Sequence, residues 1–129
     1  MDKASFSTAL QGARILIVED DAILAMDMED RLKSEGCNVI GWVSRQAKAL
    51  ELLEEASPHV VVLDLNLHDE LAADLAEALA ARQIPFVIVT GYGNRHFDVP
   101  ALQEAPRLHK PIDTRELVRA LSDVIRPAD

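Results

Sequence analysis

Runs of consecutive apolar residues alternate along the chain with stretches whose apolar positions recur every three or four residues. Ile15–Val18 (ILIV) is a short β-branched run stopped abruptly at Glu19, the pattern of a buried strand. From Asp21 to Glu35 the period changes: Leu24, Met28 and Leu32 recur at i, i+4 and i+8, which predicts an amphipathic helix, and Gly36 stops it. Cys37–Val43 (CNVIGWV) is a second, less regular strand. Arg45–Ala56 predicts a helix with Leu50 and Leu53 inward and Glu51, Glu54 and Glu55 outward, broken by Ser57-Pro58. Val60–Leu65 (VVVLDL) carries the strongest strand signal, and Leu71–Arg82 is Ala/Leu-rich and helical. Pro85 opens a fourth strand, Phe86–Val89, which ends at Thr90-Gly91-Tyr92-Gly93. Over 94–106, Pro100 and Pro106 bracket at most one short helix, and Arg107–His109 predicts a short fifth strand. Asp113 then caps a last helix, with Glu116 completing a capping box and Leu117, Leu121 and Val124 on its inner face to about Ile125.

Five strand–helix units in alternation predict an α/β fold, a doubly wound parallel sheet covered by helices on both faces. Strands that are apolar throughout, rather than alternating, suit burial on both sides. The expected domain runs over residues 13–126, with 1–12 and 127–129 as loose ends and no output domain after it.

Composition narrows the classes of function. The formal charge is −9, from 13 Lys plus Arg against 22 Asp plus Glu, so a face that tracks phosphate backbones is not expected. Three Phe, one Tyr and one Trp also speak against a base-stacking surface. The longest apolar runs are four or five residues, far short of the ~20 needed to cross a membrane, and no secretory stretch opens the chain. Cys37 is alone, so there is no internal disulfide, as suits a soluble cytoplasmic protein.

In an open parallel sheet, ligands bind beyond the carboxyl ends of the strands. Here those ends carry Glu19-Asp20-Asp21, Asp64, Thr90 and Lys110-Pro111. Three or four carboxylates, a hydroxyl and an ammonium are thus expected along one edge. Clustered carboxylates repel unless a cation is present. An all-oxygen donor set suits Mg²⁺, which takes only a few carboxylates and keeps several waters. A carboxylate beside bound Mg²⁺ can act as a nucleophile toward phosphorus, with Lys110 and Thr90 as the cation and the donor that the transferred group needs.

In order along the chain, ILIVEDD, VVLDLNL, VIVTG and HKPID resemble the receiver domain of bacterial two-component response regulators. The resemblance implies a flavodoxin-like five-stranded sheet in the order 2-1-3-4-5. By position, it makes Asp64 the phosphoacceptor and Glu19 and Asp20 the acidic pair that holds Mg²⁺ together with Asp64. It adds the backbone carbonyl of Asn66 as a further ligand, and gives Thr90 and Lys110 contacts to the phosphoryl group. It also implies a cis Lys110–Pro111 bond, a histidine kinase or phosphotransfer protein as donor, a downstream protein partner, and a monomer or weak dimer. Receivers commonly carry Tyr or Phe three residues before the Lys; here that position is Arg107, and Tyr92 is a candidate substitute. The stretch IVTGYG is loosely similar to the FAT GUY receivers of alphaproteobacteria, although Ile88 and Val89 replace that group's Phe-Ala.

Other readings fit less well. A haloacid-dehalogenase-type phosphatase needs a second Asp where this chain has Asn66, and its nucleophile strand comes first. Gly91-Tyr92-Gly93 lacks the third Gly of a dinucleotide fingerprint. A receiver-shaped adaptor that never takes phosphate is the remaining alternative. His59 and His96 are expected at the surface, and His68 and His109 flank the site. Cys37 and Trp42 are expected to be packing residues.

Overall fold

The computed structural model describes residues 10–67, 70–91 and 100–125. Strand β1 (Arg14–Val18) leads through helix α1 (Ala22–Ser34) to β2 (Asn38–Val43), and α2 (Gln46–Glu55) leads to β3 (Val60–Asp64). A short ribbon of β4 (Asn66–Leu67) and β5 (Glu70–Leu71) precedes α3 (Ala73–Ala81). Then come β6 (Phe86–Thr90), α4 (Pro100–Glu104), β7 (Arg107–His109) and α5 (Thr114–Ile125). The main sheet is parallel throughout, in the order β2-β1-β3-β6-β7. Numbered as the five long strands, this is the expected 2-1-3-4-5.

Alternation along each strand feeds two cores. Leu16, Val18, Val61, Leu63 and Ile88 pack with α2, α3 and Leu102 of α4 on one face. Ile15, Ile17, Val60, Val62, Val87 and Val89 pack with α1 and α5 on the other. Because the central strands are buried on both faces, their sequences read as unbroken apolar runs. The parallel arrangement brings the carboxyl ends of β1, β3, β6 and β7 to one edge, which positions the site.

Several details depart from expectation. Ile15 pairs with Val39 but Leu16 with Gly41, so Ile40 is an extra residue in β2, and Gly41 takes φ +155° there. This bulge explains the irregular apolar pattern of that strand. Leu71 belongs to β5 and not to the following helix, which begins at Ala73. Gln46 Oε1 accepts a hydrogen bond from Leu75 N at 3.0 Å, capping α3 from the neighbouring helix where local sequence offers no cap. Packing also begins before Ala13: Leu10 is fully buried against the α1 side, so residues 10–12 are not part of a loose end. Residues 1–9 and 126–129 lie outside the described residues.

Gly36 takes φ +91°, and a Cβ placed on it would lie 3.0 Å from the Gln11 side chain. Gly36→Ala is expected to lower unfolding free energy by about 1–2 kcal/mol in urea denaturation, since an L side chain in the left-handed region costs that much. The loss should persist in a Gln11→Ala background, because backbone strain rather than the flexible side chain carries it. Cys37 is buried, and desolvation together with the nearby Glu35 charge pushes its thiol up to about 11. Alkylation of the native protein at pH 8 should therefore run about a hundredfold slower than in urea and accelerate as the pH rises toward 11.

Candidate functional site

Each residue at the edge is set in place by main-chain bonds that run one step past its strand. Glu19 N donates to Val43 O at 2.9 Å, and Leu65 N, just after Asp64, donates to Val89 O at 3.0 Å. Lys110 N donates to Thr90 O at 2.8 Å, so Lys110 is held to the end of β6. The Lys110–Pro111 bond is cis, as the resemblance implied. Alternation carries Asp64 onto the same face as Val60 and Val62. Thr90, by the same count, falls on the face that carries Phe86 and Ile88.

Glu19, Asp64 and Thr90 are all buried, with Glu19 completely so. Ligand oxygens of Glu19, Asp20 and Asp64 lie within 4.8 Å of one another. Lys110 answers this charge: its Nζ is 3.2 Å from Glu19 Oε1, 3.4 Å from Glu19 Oε2 and 3.7 Å from Asp64 Oδ2. The lysine thus lies closer to Glu19 than to Asp64. Glu19 Oε2 also accepts from Asp21 N at 3.1 Å. Glu19 Oε1, though paired with the ammonium, accepts no hydrogen bond, and it is the buried side-chain atom left in that state among the described residues. An all-oxygen set of three carboxylates with one buried lone-pair site unfilled fits a hard divalent cation such as Mg²⁺.

Not every expected carboxylate joins the cluster. Asp21 is exposed and acts as the N-cap of α1, its Oδ1 accepting from Ile23 N (3.0 Å) and Leu24 N (3.2 Å). Three carboxylates converge, not four. Asn66 starts β4, two residues past Asp64. Gly91 lies against the lysine stem, since a Cβ there would meet Lys110 Cδ at 3.7 Å. His109 is exposed at the end of β7, and His59 is exposed at the opposite end of the sheet, where its Nδ1 accepts from Arg14 N. His68, Tyr92 and His96 lie outside the described residues. The sequence did not reveal that the nearest partner of Lys110 is Glu19; spacing along the chain carries no sign of it.

Comparisons with known proteins give the family and the fold. Residues 15–122 match the sequence model of the response regulator receiver domain. SdrG from Sphingomonas melonis Fr1, known from its solution structure, is 37% identical with a TM-score of 0.76, covering 92% of this chain and 98% of that one. The response regulator PhyR from Brucella abortus is 28% identical with a TM-score of 0.77, covering 95% of this chain and 51% of that one. The transcriptional regulatory protein PdtaR of Mycobacterium tuberculosis is 29% identical over 111 residues, 84% of this chain and 54% of that protein. The chain therefore spans about half the length of PdtaR and PhyR, and nearly all of SdrG. Among the described residues, no helix is long and apolar enough to cross a membrane.

Three carboxylates facing one ammonium leave net repulsion in the metal-free protein. Asp64→Asn should therefore raise unfolding free energy by about 1–2 kcal/mol in EDTA, as removal of one like charge from a crowded site does. Equal or lower stability in urea denaturation would mean that Lys110 already balances the cluster.

Proposed function

The chain belongs to the response regulator receiver domain family, and from that premise we propose that it accepts a phosphoryl group on Asp64 from a histidine kinase or histidine phosphotransfer protein. The observation that carries this reading is the placement of Asp64: buried at the end of β3, among the ligand oxygens of Glu19 and Asp20, with Lys110 Nζ at 3.7 Å. Burying a carboxylate there is costly without a partner, and the partners present suit phosphorus chemistry.

Glu19, Asp20 and Asp64, with the backbone carbonyl of Asn66, would hold Mg²⁺, which when bound supplies charge neutralisation and polarises the phosphoryl oxygens. An Asp64 carboxylate oxygen attacks the phosphorus of a phosphohistidine; the P–N bond breaks and the imidazole leaves. The product carries more negative charge than the carboxylate it replaces. Lys110 turns from Glu19 toward it, and the Thr90 hydroxyl donates to a phosphoryl oxygen. Charge-assisted hydrogen bonds contribute ~1.5–3 kcal/mol each, so two supply ~3–6 kcal/mol. Near-complete reversal of a two-state population takes ~5.5 kcal/mol, so these contacts are of the right size to shift the domain between two states. The domain assists its own phosphorylation rather than acting as an enzyme on others, and it signals by contact with another protein. The receiver unit runs over residues 13–126, with Leu10 packed against it.

Incubation with acetyl phosphate and Mg²⁺ should give one labile phosphoryl adduct by intact-protein mass spectrometry. EDTA or Asp64→Asn should abolish it. An adduct that survives in Asp64→Asn contradicts the assignment, and its absence from the wild type under both acetyl phosphate and a phosphohistidine donor favours an adaptor that never takes phosphate.

A further inference from the structure

Helix α3 begins without a cap of its own. Its N-cap residue is Ala72, whose methyl offers the first-turn amides no acceptor. The bond that an N-cap side chain would make to the third helical residue is made instead by Gln46, the first residue of α2: Leu75 N donates to Gln46 Oε1 at 3.0 Å. The half-buried side chain that does this stands 29 positions away in sequence.

What the cap holds is the return of the chain after Asp64. Leu65 N bonds to Val89 O at 3.0 Å, and from there the chain leaves the sheet. It comes back at Ala72, whose N–H donates to Leu65 O at 3.1 Å. Between the two lie β4 and β5, with Asn66 opposite Leu71 and Leu67 opposite Glu70. A ribbon this short is marginal by itself. One of its anchors is Leu67, buried in the core that α2 and α3 cover. The other is Ala72, which makes the closing bond and also belongs to the first turn of α3, where Ala76 N donates to Ala72 O at 3.0 Å. Fraying of that turn therefore loosens the closing bond as well. Gln46 is itself placed by the acidic end of β1: Glu19 N fixes Val43 O at the end of β2, and Gln46 opens the next element. Two chains of bonds thus run from the Glu19 segment. One crosses the β1–β3 ladder and sets Asp64. The other passes through Val43, Gln46, Leu75 and Ala72 to Leu65, between Asp64 and Asn66.

We propose that Gln46 is a positioning residue for the metal site: by capping α3 it holds the ribbon, and so preorganises the Asn66 backbone carbonyl for the divalent cation that Glu19, Asp20 and Asp64 would bind. The proposal rests on the ligand set given in the phosphoacceptor reading above and concerns what fixes its main-chain member. Apparent affinity falls with the fraction of protein in the competent state. A marginal ribbon that loses an anchor therefore weakens binding although every ligand is still present.

The test uses the whole chain and follows backbone amides by ¹H–¹⁵N NMR. In EDTA, hydrogen exchange at Ala72 and Leu75 should run about fivefold faster in Gln46→Ala than in wild type, the scale of losing one neutral hydrogen bond. Titration with Mg²⁺ should give a dissociation constant about fivefold higher in the same variant. Gln46→Glu keeps an acceptor at the same place and should restore both values. Glu54→Gln weakens the contact with Arg82, which joins the same two helices at the far end of α3, and should leave Mg²⁺ affinity unchanged. Wild-type exchange at Ala72 or wild-type Mg²⁺ affinity in Gln46→Ala overturns the proposal, and so does an equal loss of affinity in Glu54→Gln. A wild-type protein that binds no Mg²⁺ overturns the metal reading of the site and the proposal with it. The exchange rates, taken without metal, then still decide whether Gln46 holds the ribbon.

Discussion

Everything at the carboxyl edge of this sheet follows from one electrostatic constraint: Glu19 is completely buried, and the ammonium that compensates it belongs to Lys110, 91 residues along the chain. A buried carboxylate held against a lysine at 3.2 Å costs desolvation on both sides. That cost is tolerable because neither partner has to be ordered for the purpose. The Glu19 amide is already bonded to Val43, and the Lys110 amide to Thr90, by the continuing sheet ladders. The rigid β scaffold holds the charges where free side chains would separate, the arrangement that a site reacting with a charged group requires.

The same constraint accounts for the division of labour among adjacent residues. Glu19, Asp20 and Asp21 are consecutive acids with three different surroundings. Glu19 is buried under Lys110, Asp20 is half-buried at the rim, and Asp21 caps α1 in solvent. Asp64 continues the inward phase of Val60 and Val62, so the two-residue period that builds the core also delivers a carboxylate to the edge. Core and site are products of one pattern, and a one-residue slip of β3 would exchange Asp64 for Leu65.

Much of this was legible in the chain. Unbroken apolar runs gave away strands buried on both faces, Asp113 is the cap of α5 through bonds to Arg115 N and Glu116 N, and the single short helix between Pro100 and Pro106 is there. The strand ends named from sequence do bring Glu19, Asp20 and Asp64 together beside Lys110, with Thr90 at the end of the adjoining strand. What stayed hidden depends on contacts between segments far apart. The bulge at Ile40 is set by pairing with β1, the cap of α3 is lent by Gln46 of α2, and the burial of Leu10 depends on the packed α1 side. Local periodicity has no access to any of them. The bond that Arg107 Nη2 donates to Leu102 O is an intermediate case, since Pro106, with no N–H, announces an orphan carbonyl but does not say which side chain will meet it.

The most direct measurement on the central claim is chemical trapping of the loaded residue. An acyl phosphate is reduced by borohydride to the alcohol, whereas a free carboxylate is not, so an Asp that carried phosphate becomes homoserine. After loading in Mg²⁺, reduction and digestion, peptide mass spectrometry should find homoserine at position 64, with Glu19 and Asp20 unchanged. Reduction at Glu19 or Asp20, or an intact Asp64 in protein shown to carry phosphate, would contradict the account.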